Sequence, residues 1–155
     1  MIWDLDEPIE GAIDFMKNLT EKGKKVFFVT NSSWRGQEAV FKHFQKLGFE
    51  TGNGIEQKNF YSATSAAVTI SKNVLGSKKI FVFGERGVAE EIRKQGLEAV
   101  EPPQDYYENS RVSSEDFEEM TVDPSIDTVI CGLTPTWTYK MLCYASILLR
   151  SKDFF

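Results

Sequence analysis

The amino-acid sequence predicts an α/β fold with parallel strands. Three short apolar runs rich in β-branched and aromatic residues, at 26–29, 79–84 and 128–132, have strand length. Each precedes a stretch whose apolar residues recur at helical spacing, at 37–47, 88–94 and about 138–149. Glycines close these units, at Gly23, Gly48 and Gly96. Strand, helix and strand in alternation is the pattern of parallel pairing through crossover connections.

Taken in order, Pro8-Ile9-Glu10-Gly11 leads into a helix with Ala12, Ile13, Phe15, Met16 and Leu19 on a wide apolar stripe. Gly23 stops it, and Lys22 and Lys24 sit beside the negative end of its dipole. The strand at 26–29 follows, then a second amphipathic helix carrying Val40, Phe41, Phe44 and Leu47. Asn59-Phe60-Tyr61 reads as a short strand before a helix from about Ala63 to Val74. The start of that helix, Ser62-Ala63-Thr64-Ser65, is rich in capping residues. After Leu75-Gly76-Ser77 the alternation restarts with the strand at 79–84 and the helix at 88–94. Residues 101–127 are polar and acidic and read as a loop or irregular insertion. The strand at 128–132 and the last helix follow, and Phe154-Phe155 resembles the start of another strand.

A chain of 155 residues holds one ordinary domain or two small ones, long enough to bury a core. With 41% hydrophobic and 26% charged residues it has the make-up of a soluble globular protein. Its net charge of −5 disfavours nucleic acid and anionic membrane as main partners. No apolar run approaches the ~18 residues of a membrane span, and no signal peptide is recognisable, so the cytoplasm is the expected compartment. Cys131 and Cys143 lack metal-type spacing and His43 is the only histidine. A Cys/His zinc site is therefore excluded and a disulfide framework is not expected.

Candidate chemistry centres on Thr30-Asn31-Ser32-Ser33, just past the carboxyl end of the strand in Lys24-Lys25-Val26-Phe27-Phe28-Val29. Ligands of open α/β sheets bind at such strand ends, and hydroxyls, an amide and free N–H groups suit an anion, phosphate above all. The same residues are also good caps for the helix that follows, and the residues alone leave both readings open. Asp4-Leu5-Asp6 has the spacing of a nucleophile and a general acid/base. Only Met1-Ile2-Trp3 precede it and Glu7-Pro8 follow it, so a solvated loop is the expectation there. Gly84-Glu85-Arg86-Gly87 lacks the Gly-x-Gly-x-x-Gly spacing and reads as a tight turn. Trp137, in the loop Gly132-Leu133-Thr134-Pro135-Thr136, suits packing better than stacking on a ligand, and His43 suits a boundary position. The acidic residues between Asp105 and Glu119 read as solvated rather than metal-binding.

Several segments together resemble haloacid dehalogenase-like phosphatases, in the branch of 4-nitrophenyl, phosphoglycolate and pyridoxal phosphate phosphatases. They are Pro8-Ile9-Glu10-Gly11-Ala12, the run from Gly23 through Ser33, Leu47-Gly48-Phe49, Ser62-Ala63, Phe83-Gly84-Glu85-Arg86-Gly87, Gly132-Leu133-Thr134-Pro135 and Tyr139-Lys140-Met141-Leu142. Their agreement in order and spacing across nearly the whole chain is more specific than any one of them.

The resemblance implies a partial Rossmann-like core over residues 1–76 and most of an α/β substrate-specificity cap over residues 77–155. It implies a Mg²⁺-assisted transfer of a phosphoryl group from a small phosphorylated metabolite to an aspartate, then hydrolysis of the aspartyl-phosphate. Thr30, with Asn31 and Ser32 beside it, matches the motif that binds the phosphoryl group; fixed donors and a cation do most of the work in such transfers. The family's Asp-x-Asp-Gly nucleophile motif aligns immediately before Met1, which makes Asp4-Leu5-Asp6 a decoy and leaves this chain no catalytic side chain. The family's later lysine and acidic metal motif fall beyond Phe155. Gln37, Thr134 and Thr136 depart from the family pattern as well. The expectation is a fragment of a Mg²⁺-dependent phosphatase that binds no Mg²⁺ and is inactive and poorly stable alone, with an exposed strand edge at 26–29. The alternative is a short non-catalytic isoform acting as an interaction module, such as a homodimer formed through the cap.

Overall fold

The structure, a computed structural model, describes residues 2–4, 6–108 and 111–151. It begins with a small antiparallel pair, β1 (Trp3–Asp4) and β2 (Glu7–Pro8), in which Trp3 lies opposite Pro8. Helix α1 (Ala12–Glu21) turns its apolar stripe inward through Ala12 and Met16. It ends where Gly23 takes a φ of 64°, with the Lys24 N–H donating to the Leu19 carbonyl at 3.0 Å. Strand β3 (Phe28–Thr30) and helix α2 (Gln37–Lys46) follow. A 3-10 turn at Gln57–Asn59 then leads into β4 (Phe60–Ser62) and α3 (Ala63–Ile70), which finishes as a π-helical turn over Ser71–Leu75.

Strand β4 lies parallel to β3 in the register Phe28 to Phe60, Val29 to Tyr61 and Thr30 to Ser62. That register trims the strand expected at 26–29 to residues 28–30, because β4 runs alongside only those three. An aromatic cluster fills the space beneath. Phe28 stacks on Phe60 with ring centroids 4.2 Å apart, Phe44 stacks on Phe49 at 4.5 Å, and Trp3 meets Phe44 edge-on at 6.2 Å. Among the described residues β3 pairs only with β4. Val29 is 84% exposed, with Phe27 and Phe15 also in solvent.

The second half forms a three-stranded parallel sheet ordered β6, β5, β7, with β5 (Lys79–Phe83) central, β6 (Glu98–Val100) and β7 (Thr128–Cys131). Alternation along β5 divides the core. Ile80 and Val82 pack with Val68 of α3 and with Val88, Ala89 and Ile92 of α4 (Arg86–Lys94). Phe81 faces the other way, onto Tyr144, Ala145 and Leu148 of the last helix (Tyr139–Arg150). Helices therefore cover both faces, as an apolar parallel strand requires.

Strand β6 was not legible as a strand, since three residues with only Ala99 and Val100 apolar carry no period; the open edge of β5 recruits them. The segment 101–127 is more ordered than expected. It holds two short helices, α5 (Asp105–Glu108) and α6 (Ser114–Glu119), the latter started by a capping box between Ser113 and Asp116. The last helix is therefore α7. His43 lies at the expected boundary, its ring edge-on to Trp3 and its Nε2 3.8 Å from an Asp6 carboxylate oxygen. Both cysteines are free thiols, Cys131 exposed and Cys143 buried. Among the described residues no helix is long and apolar enough to cross a membrane. Phe154 and Phe155 lie outside the described residues.

Phe44 is fully buried at the centre of the first cluster. Phe44→Ala should cost about 3–5 kcal/mol of unfolding free energy in a urea titration. A loss below about 1 kcal/mol would show that this cluster does not hold the first half together.

Candidate functional site

Parallel pairing of β3 with β4 sets Thr30 opposite Ser62, so two hydroxyl-rich segments leave the same end of one sheet. Both then tie their own backbones down. The Thr30 hydroxyl oxygen accepts the Ser32 N–H at 3.3 Å, and the Ser32 carbonyl accepts the N–H and the hydroxyl of Thr64, each at 3.4 Å. Ser62 and Ser65 form a reciprocal capping box at the start of α3, each backbone N–H donating to the other's hydroxyl oxygen at 3.0 Å. Ser62, Thr64 and Ser65 are buried, while Asn31 is exposed. The Ser32 hydroxyl is the exception: its oxygen is buried and no protein group bonds to it. A hydroxyl left that way costs about 1–3 kcal/mol, which a ligand oxygen can recover.

The capping reading of this cluster does not hold for α2. That helix starts at Gln37, its N-cap is Gly36, and none of residues 30–33 reaches its free N–H groups. The partner of the Gln37 N–H is instead the carboxylate of Glu91, at 3.2 Å, from α4. Relieved of capping α2, the Thr30 hydroxyl oxygen serves the loop's own backbone instead.

The second sheet closes over the same loop. The Leu133 N–H donates to the Ser33 hydroxyl oxygen at 3.3 Å, and Thr134 donates to Glu85 at 2.7 Å. Trp34, Glu85, Leu133 and Pro135 line a small cavity of about 320 Å³ beside them, and the Arg35 guanidinium lies over the Trp34 ring at 4.1 Å. The turn expected over residues 84–87 is confined to Gly84 and Glu85: Glu85 is the N-cap of α4, and Arg86 and Gly87 are already its first residues. Trp137 is 57% exposed, so it does not do the packing expected of it.

The carboxylates of Asp4 and Asp6 stand elsewhere. Asp4 is paired opposite Glu7, Leu5 lies outside the described residues, and Asp6 sits beside His43, more than one turn along α2 from its start. Among the described residues no three His, Cys, Asp or Glu side chains converge as a metal would need. The carboxylates nearest the loop are committed: Glu85 to Thr134, Glu91 to the start of α2, and Glu38 to two lysines. These residues do not fit a Mg²⁺ site, and no chemical step is drawn through one.

The model of the haloacid dehalogenase-like hydrolase family matches residues 1–98. The chain belongs to that family. A 4-nitrophenylphosphatase of Schizosaccharomyces pombe is 31% identical over 156 residues, spanning 99% of this chain and 51% of that protein. Phosphoglycolate phosphatase 2 of Arabidopsis thaliana is 30% identical over 152 residues, 97% of this chain and 49% of that one. Among solved structures, a p-nitrophenyl phosphatase from Archaeoglobus fulgidus is 25% identical and superposes with a TM-score of 0.68, over 93% of this chain and 46% of its own. The chain thus spans about half the length of the curated relatives it matches. The family likeness extends to the α/β fold itself, parallel strands with helices between them.

Sequence reading missed Arg35 and Glu91 around this loop, and it named Glu85 only within a turn, without its bond to Thr134. Glu91 had only its place on an amphipathic helix to offer, and its partner stands 54 residues earlier. Glu38 is the one group here whose titration moves far. The Lys42 ammonium, and then that of Lys94, hold its carboxyl down from 4.5 to about 2. The sign follows from that depression: the pairing is fully present above the ordinary carboxylate range and is lost as pH falls through about 2. Because Lys94 belongs to α4, acid should loosen the joint between α2 and α4 in that window. Trp34 emission in a background with Trp3 and Trp137 replaced by Phe should therefore change between about pH 4.5 and 2. Glu38→Gln should flatten that acid limb, and superimposable profiles for the two proteins would remove Glu38 from the explanation. The amplitude should be small, since the pair is exposed.

Proposed function

We propose that the chain supplies the phosphoryl-binding loop of a phosphatase acting on small phosphomonoesters. Residues 1–76 are part of its Rossmann-like core and residues 77–155 are most of its cap. Thr30, Asn31 and Ser32 hold the phosphoryl oxygens, and Ser32 carries the reading, because its hydroxyl is buried, unpartnered and at the carboxyl end of a parallel strand pair. The relatives' names, a 4-nitrophenylphosphatase and a phosphoglycolate phosphatase, support that substrate class. On this reading the aspartate nucleophile and the groups that hold Mg²⁺ are not among these 155 residues, and the chain alone does not turn over. A cytoplasmic setting is part of the proposal, supported by two unpaired cysteines.

Titration of the 155-residue chain with inorganic phosphate, followed by calorimetry or amide chemical shifts, tests this. Binding should be detectable, and both Thr30→Val and Ser32→Ala should weaken it by about tenfold, the worth of one hydrogen bond to a charged ligand. Equal binding by both variants would remove the loop from the site. Hydrolysis of p-nitrophenyl phosphate that needs Mg²⁺ and is abolished by Asp4→Asn would overturn the assignment of Asp4-Leu5-Asp6 as a decoy.

A second reading, an interaction module that dimerises through its cap half, is favoured by one observation. Tyr139, Leu142 and Leu149 are exposed on α7 at spacings of three and seven residues, an apolar stripe along one helix face. If that stripe is an interface, light scattering should give a dimer mass that Leu142→Asp reduces to a monomer, and a concentration-independent monomer for the unmodified chain sinks it.

A further inference from the structure

Glu91 is a buried carboxylate, 6% exposed, whose bonds all run to uncharged groups: the Gln37 N–H at 3.2 Å and the Gln95 side-chain amide at 3.0 Å. Burying a charge without a counter-ion is costly unless fixed dipoles replace the lost water. Here the dipole is that of α2. Gln37 is its first residue, and its N-cap, Gly36, has no side chain to serve the free N–H groups. Glu91 does this from another helix, placing a negative charge at the positive end of α2. Glycine at position 36 suits the arrangement, since a Cβ there would displace the Glu91 carboxylate from its place.

The rest of the loop is held from the same side. A Cβ on Gly87 would strike the carbonyl oxygen of Trp34, and one on Gly132 would strike that of Ser33. Two glycines of the second sheet unit are thus sockets for consecutive carbonyls of the first. The Leu133 N–H on the Ser33 hydroxyl and the Lys94–Glu38 ion pair add two polar ties. All of these grip residues 33–38, directly after Thr30, Asn31 and Ser32.

We propose that Glu91 is a positioning residue: by capping α2 from α4 it seats the 33–37 backbone in the Gly87 and Gly132 sockets, and so makes phosphate affinity at residues 30–32 depend on the docked second sheet unit. The proposal rests on the phosphate reading of that loop. Glu91 touches no ligand; it acts through the position of α2. Unseating the cap half would then release the phosphate loop, which couples anion binding to closure.

The test compares Glu91→Ala and Glu91→Gln with the unmodified 155-residue chain. It uses inorganic phosphate binding and amide hydrogen exchange over residues 32–37, with exchange in β5 as the control for folding of the second sheet. The Gln side chain keeps an oxygen that accepts the Gln37 N–H, so it should hold phosphate affinity and exchange within about twofold. Ala removes the acceptor, so affinity should fall roughly fivefold to tenfold, the size of a lost helix cap. Exchange over 32–37 should quicken about as much while β5 stays protected. Equal behaviour of Ala and Gln, or unchanged exchange in Ala, overturns the role of Glu91. If Ala also exposes β5, Gly132→Ala decides the matter, since it spares Glu91 and should still quicken exchange over 32–37. Unchanged exchange there counts against the sockets. An unmodified chain that binds no phosphate but shows the expected exchange pattern overturns the phosphate reading while the clamp on residues 33–37 stands.

Discussion

The parallel register that sets Thr30 beside Ser62 is the constraint from which the rest of the site follows. A parallel pair cannot be joined by a tight turn, so a helix must cross over between its strands, and α2 is that crossover. Both strands therefore end on the same side, and the chain leaves each of them through hydroxyl residues. An antiparallel pairing of the same segments would have sent the two clusters to opposite ends. The stacked rings of Phe28 and Phe60, which are themselves register partners, hold that alignment from below. Core packing and site geometry are in this sense one fact, because sliding β3 by one residue would turn Phe28 out of the core and Thr30 away from the loop.

Much of this was legible in the sequence, and the reasons are local. Helices α1, α2 and α7 announce themselves by apolar residues at helical spacing, and β5 by an unbroken apolar run. The position of residues 30–33 after an apolar strand was enough to mark them as a ligand candidate. What stayed hidden is what depends on a partner far along the chain. Strand β6 exists because β5 has an edge to offer, and the two helices in 101–127 are too short to show a period. Val68 reads as an ordinary apolar position of α3, yet it packs into the second sheet's core.

Glu91 shows the same limit at the scale of one side chain. On α4 it stands next to Glu90 with nothing to separate them, and both look like solvated helix residues. Glu90 is one, paired at the surface with Arg86. Glu91 is turned inward by the apolar stripe of Val88, Ala89 and Ile92, and the space it enters ends at the bare amino terminus of α2. The matching sequence signal was in plain view at the other end, a helix preceded by glycine where a Ser, Asp or Asn is favoured. An uncapped helix start is a question about who supplies the cap, and here the answer lies 54 residues away.

The two sheets are therefore not joined only by the chain that runs between them. Each glycine of the joint occupies a place where a Cβ would meet backbone or carboxylate, so the contact is sterically specific rather than merely adhesive. The ties include a carboxylate on a helix end, a hydroxyl on an N–H, an exposed ion pair and the Lys72 ammonium on the Gln95 carbonyl. Buried Val68 of α3 adds an apolar contact with the second sheet's core. Such a contact defines a docked geometry through close steric fits and directional bonds. The loop at residues 30–33 on one side and the cavity at Trp34 and Leu133 on the other both border this joint. On the proposed phosphate reading, the start of α2, capped by Glu91, then sets how well the ligand's charge is held.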